Sequence, residues 1–146
     1  MKEKHLLIIL GVLLIALIGF YLSYQNSNIV CIENKKCFSV DLADDSEEWR
    51  IGLSNYEILP LDSGMLFIFP EEADVNFWMK SMDFAIDIIW ISSDFKITGF
   101  EKSVPICVEN CEIYSSEGKI KYVLEINSGL SEIYSFEFGD EVSLKE

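Results

Sequence analysis

His5 is the only histidine among the 146 residues, and it stands ahead of a long apolar run. The rest of the chain therefore has no material for a Ser-His-Asp triad, a Cys-His pair or a histidine-ligated metal. An enzyme built on that remainder has to work with carboxylates, Lys, Arg or Tyr. Gly-rich phosphate loops and calcium-loop spacings are also missing. The acidic run from Asp41 to Glu48 fits no calcium loop, and a solvated helix start explains it better. No metal or cofactor is expected. Positive charge is scarce too, with 11 Lys and Arg against 25 Asp and Glu and a net charge of −14. Such a surface repels nucleic acid and anionic lipid heads, which argues against a nucleic-acid partner. Internal repeats and low-complexity stretches are absent, and the acids are mixed with aromatic and β-branched residues, so disorder is a poor reading.

What is present begins with the membrane. Leu6 to Leu22 is a run of 17 residues without a charge, extended by Ser23 and Tyr24 and preceded by Lys2 and Lys4. A bilayer-crossing α-helix needs roughly 17 to 25 such residues, and no polar face interrupts the run. Signal cleavage wants small residues after the apolar core, whereas Phe20, Tyr21, Leu22 and Tyr24 are bulky; this favours a retained anchor over a cleaved signal. No lipid-attachment cysteine follows directly. The leading lysines keep the N-terminus cytoplasmic by the positive-inside rule. The expected layout is an anchor over residues 1–24 touching lipid through 6–24, a spacer over 25–28, and an extracytoplasmic domain over 29–146. Lys2, Lys4 and Glu3 are the only charges in the first 24 residues, so the remainder carries 9 basic and 24 acidic residues, a net −15.

The four cysteines form two close pairs, Cys31 with Cys37 and Cys107 with Cys111. In an exported domain such pairs read as disulfides. Cys31 and Cys37 bracket Ile32 to Lys36 and face each other across a hairpin. A zinc knuckle needs about two to four residues between thiolates, and the first pair has five. Redox pairs usually have two, and neither pair matches.

Hydrophobic alternation places a strand at Phe38 to Leu42, in a hairpin with Ile29 to Ile32. Asp44, Asp45 and Ser46 start a short helix that runs to about Leu53. Gly64 to Phe69 reads as a buried strand stopped by Pro70, and Val75 to Met79 as another. Ala85 to Ile91 and Lys96 to Val104 flank the turn Ser92-Ser93-Asp94. A loop from Pro105 to Gly118 carries the second cysteine pair, and strands follow at Lys121 to Ile126 and Glu141 to Leu144. The expected fold is mainly β (α+β), a compact antiparallel sheet or partly closed barrel with one or two short helices.

Five motifs in order resemble the prokaryotic family called domain of unknown function 192. They are Arg50-Ile51-Gly52-Leu53, Gly64-Met65-Leu66-Phe67, Phe77-Trp78-Met79-Lys80, Ile86-Asp87-Ile88-Ile89, and Leu124 to Gly129 with Gly139-Asp140. The resemblance covers about residues 38 to 144. It implies a compact, mainly β single domain, often exported, without an established activity. The chain departs from the family pattern at Ser54, Ser81, Met82 and Ala85, so hydrogen-bonding groups of any family pocket are altered here.

Asp87 is the most telling residue, because Ile86, Ile88, Ile89, Trp90 and Ile91 surround it in a buried strand. An unpaired carboxylate there costs several kcal/mol, so it needs a cation or hydrogen-bond donors. Arg50 and Lys80 are the expected partners. Trp78 beside Lys80 and Asp87 could hold a sugar or another polar ligand; the competing reading is an ion pair tying the helix to the sheet, with Trp78 as core. Glu125 and Asn127 either add polar contacts or cap the next turn. The functional expectation is a monomeric, membrane-tethered binding module for a small polar ligand or envelope component. The alternatives are an accessory protein docking on another envelope protein, and a hydrolase using Asp87 and Glu125.

Overall fold

The computed structural model of the protein describes residues 5, 9–18 and 28–145. Residues 9–18 are helical with exposed apolar side chains. Among the described residues no helix is long and apolar enough to cross a membrane. The rest of the apolar segment, residues 6–8 and 19–24, lies outside the described residues.

The remainder is a seven-stranded sheet curled into a half-barrel with a few short helices. Its strands are β1 (Asn28–Ile32), β2 (Lys36–Ala43), β3 (Ser63–Ala73), β5 (Ile86–Ile91), β6 (Ile97–Val104), β8 (Ile120–Asn127) and β9 (Val142–Lys145). They lie in the order β6-β5-β8-β3-β2-β1-β9. A separate ribbon pairs β4 (Asn76–Phe77) with β7 (Tyr114–Ser115). The two outer edges meet at one end, where Lys96 bridges Glu141 and the Ile97 N–H donates to the Asp140 carbonyl. That contact hides part of both edges from other chains.

Most of the elements expected from the sequence are present. The β1–β2 hairpin sets Cys31 opposite Cys37, and both expected disulfides form: Cys31–Cys37 and Cys107–Cys111. Helix α1 (Ser46–Ile51) starts at Asp45, whose carboxylate accepts from the N–H groups of Glu47 and Glu48; a 3-10 turn over Gly52–Asn55 follows it. Helix α2 (Leu130–Ile133) is a single turn.

Three details differ. β2 and β3 pair in parallel, because the α1 segment crosses over between them. Pro70 does not end its strand, since β3 continues to Ala73 and the ladder to β8 is interrupted between Ile68 and Ala73. A residue without an N–H is tolerated in that unpaired stretch. Of the strand expected at Val75 to Met79, only Asn76 and Phe77 pair.

Two hydrophobic layers cover the two faces of the sheet. Ile89, Leu124, Ile126 and Leu66 face a core with Phe38, Leu130 and Phe136. Ile88, Trp90, Val123, Met65 and Phe67 face the opposite core with Leu53, Leu59 and Met79. Successive residues of a strand point to opposite faces, so β5 is buried all along its length.

A cleft floored by Glu125

Asp87 lies on the first of these faces, opposite Ile126, and is fully buried. Its Oδ1 accepts from the N–H groups of Ser103 (2.7 Å) and Gly129 (2.9 Å), and its Oδ2 from that of Ser131 (2.8 Å). The Ser103 amide is available because β6 bulges there: Ile86 pairs with Val104 but Ile88 with Glu101, and Ser103 takes φ 54°. Gly129 and Ser131 present amides from the start of α2. Three N–H donors stabilise a buried carboxylate without a cation. The expected partnership with Arg50 or Lys80 is therefore corrected. Arg50 instead holds Glu47 on its own helix, at 2.6 Å on the exposed surface. This pair lowers the Glu47 carboxyl and raises the Arg50 guanidinium through their shared hydrogen bond and charge.

Glu125 lies on the other face. It pairs with Ile88 and Met65, one residue out of phase with Asp87, so the two carboxylates point away from each other across the sheet. A shared cleft between them does not exist, and the carboxylate-pair hydrolase has no geometry to work with.

The surroundings of Glu125 are different in kind. It is only 5% exposed, and burial is the sole influence on its carboxyl, with no donor among the described residues; its oxygens still touch the open cleft, since the one sealed side-chain polar atom without a partner is Ser131 Oγ. Burial alone pushes its pKa up to about 8, so at neutral pH it is mostly the uncharged acid. It forms the floor of a cleft of about 440 Å³. Phe67 and Phe69 of β3, Phe77 of β4, and Trp49 and Trp78 supply aromatic walls. Phe67 and Phe77 meet edge to face at 4.9 Å, and Trp49 and Phe69 lie 5.1 Å apart. Trp49 is fixed by its indole N–H, which donates to the Ala43 carbonyl at 2.9 Å.

Gly52 keeps the floor open. With φ +52°, it would place a β-carbon 3.3 Å from Phe67 and 3.9 Å from Glu125 Oε2. Gly64 lies on the opposite face, where a β-carbon would sit 2.6 Å from the Glu125 carbonyl and 3.1 Å from the Ile126 side chain, so it lets β3 pack closely on β8.

Four of the six expected site residues line this cleft: Arg50, Trp78, Lys80 and Glu125. Asp87 and Asn127 do not. Asn127 instead donates to the carbonyls of Leu59 and Pro60. Trp78 is 55% exposed and so is not core, and the Lys80 ammonium lies 5.6 Å from its ring. Trp49, Phe67, Phe69 and Phe77 are not among the residues expected at the site, although Phe67 and Phe77 stand in the family-like motifs; the alternation Met65, Phe67, Phe69, which puts all three on the Glu125 face, is the signal for the β3 wall. Ser54 and Met82, both departures from the family pattern, also line the cleft.

Fold and cleft together define a small β half-barrel domain with one aromatic pocket, to which four of the five motifs contribute residues and the Asp87 motif none. The chain belongs to the family DUF192, described as "Uncharacterized ACR", which it matches over residues 29–144. It is similar in structure to a candidate transcription regulator from Sinorhizobium meliloti 1021, with 28% identity, a TM-score of 0.74, and 81% of this chain and 92% of that one covered. It is also similar to a protein of unknown function from Novosphingobium aromaticivorans DSM 12444, with 25% identity, a TM-score of 0.73, and coverage of 79% and 83%. No curated protein matches it.

Proposed function

We infer that this is a membrane-tethered, extracytoplasmic binding module whose aromatic cleft takes a small polar ligand. One observation carries the reading: Glu125 is nine-tenths buried, unpartnered, and faces an open cleft walled by aromatic rings. A buried carboxyl without a partner is costly unless something completes it. Ring faces beside one polar floor group are what a small-molecule site uses for packing and orientation. The tether is supported by the uncharged run from Leu6 to Leu22 and by the exposed apolar side chains of residues 9–18. The two disulfides fit an oxidising compartment. A role in transcription is not carried over from the Sinorhizobium protein, because 25 acids against 11 bases disfavour DNA.

The test is thermal unfolding of the full-length chain in detergent against sugars, amines, carboxylates and nucleotides. A ligand of the cleft raises the midpoint, and Trp78→Ala or Glu125→Gln removes the rise. Absence of any rise across the panel would contradict the reading.

A second reading is favoured by the Cys107–Cys111 loop, where Ile106, Val108 and Ile113 are 53%, 89% and 61% exposed. Apolar side chains clustered on a clamped loop suit docking on another envelope protein. In-membrane crosslinking from Val108 should then trap one reproducible neighbour; diffuse products only would count against it.

A further inference from the structure

The two basic groups at the mouth of the cleft are already engaged. Arg50 donates two hydrogen bonds to Glu47, and the Lys80 ammonium lies over the Trp78 ring. Neither acts on the proton of Glu125, which feels burial alone. The floor is therefore completed by solvent in the open cleft or by what a ligand brings in its place. An anion is opposed by the ionised form of Glu125, a neutral polar group gains one hydrogen bond but no charge, and a purely apolar group would leave its oxygens unsatisfied. A cationic nitrogen complements the carboxylate with charge-assisted hydrogen bonds, and the aromatic walls attract it through their negative faces. The protein's net charge of −14 draws the same sign of ligand toward it.

We propose that the cleft binds a small organic ammonium or guanidinium compound, its nitrogen on the Glu125 carboxylate and its apolar body against Phe67, Phe77 and Trp78. The proposal rests on the reading of the cleft as a ligand site and names the chemistry of the occupant. Binding converts Glu125 from acid to carboxylate, so the proton released to solvent per bound cation approaches one well below pH 8 and falls away above it.

The experiment follows tryptophan fluorescence of the full-length chain in detergent, with phenethylammonium, 2-phenylethanol and phenylacetate as probes, between pH 6 and pH 9. The amine, with an alkylamine pKa of about 10.4, stays charged throughout. Apparent affinity scales with the ionised fraction of Glu125, so the amine should bind on the order of 100-fold tighter at pH 9 than at pH 6, levelling off above pH 8. Glu125→Gln should weaken binding and abolish the pH dependence. The wild-type pH profile stands as a test by itself should that variant misfold. If phenylacetate or phenylethanol binds better than the amine, the cation assignment is overturned while the binding cleft stands. If none of the three binds at any pH, the cleft reading falls with it.

Discussion

Asp87 and Glu125 are buried carboxylates on neighbouring strands, and their partners give them opposite roles. Asp87 joins the β6 bulge to the start of α2 through three backbone amides. Its removal strands those donors, so Asp87→Ala should lower stability by about 3 kcal/mol or more in denaturant titration. Arg50→Ala, which breaks only an exposed pair, should leave the unfolding midpoint essentially unchanged. Glu125 makes stability depend on pH with a defined sign. Its folded pKa of about 8 lies above the ordinary glutamate value of 4.5, so the folded state holds its proton longer. The associated stability is fully present below about pH 4.5 and is lost as pH rises through about 8. Glu125→Gln should therefore match the wild type near pH 4.5 and exceed it by roughly 3 to 5 kcal/mol at pH 9. A difference that did not grow with pH would show that the carboxylate is solvated. The sequence made Asp87 legible as a buried acid in need of partners. It could not supply them, because the donors are main-chain amides 16, 42 and 44 residues away, and backbone amides carry no residue signature.

At the level of elements, strand parity was readable and strand neighbours were not. Alternation placed β1, β2, β5, β6 and β8 close to where they lie, and the Asp45 cap located α1. The parallel β2–β3 pairing depends on a crossover whose path no local pattern encodes, and Pro70 was absorbed by an irregular stretch of ladder. The cleft was half legible for the same reason: Arg50, Trp78 and Lys80 stood in recognisable motifs, but the wall from β3 needed the pairing of Met65 with Glu125. Gly64 leaves no room for a side chain between β3 and β8 on the face opposite that wall. Gly64→Ala would force a β-carbon to 2.6 Å from the Glu125 carbonyl and should cost roughly 2 kcal/mol or more in stability. A fully stable alanine variant would mean that the two strands are free to separate there.

For the whole molecule, the disulfides act as local clips. Cys31–Cys37 and Cys107–Cys111 close loops with separations of only 6 and 4 residues, and each contributes about 2 kcal/mol on the chain-entropy model. The Cys31→Ala/Cys37→Ala variant should therefore remain folded with a lowered midpoint. The two disulfides, with the extracytoplasmic location proposed above, predict the state of the thiols: chain denatured without reductant should take up no alkylating reagent, and reduced chain should take up four equivalents. Four reactive thiols before reduction would place the domain in a reducing compartment. The function proposed for the molecule depends on an acid without a protein partner at the floor of an open aromatic cleft. The most direct measurement is the titration of the Glu125 side-chain carboxyl carbon by NMR in the full-length, ligand-free chain. A midpoint near pH 8 is the expected result. A midpoint near the ordinary glutamate value of 4.5 would contradict it, since the carboxylate would then be solvated or already partnered and the cleft would have nothing left for a ligand to complete.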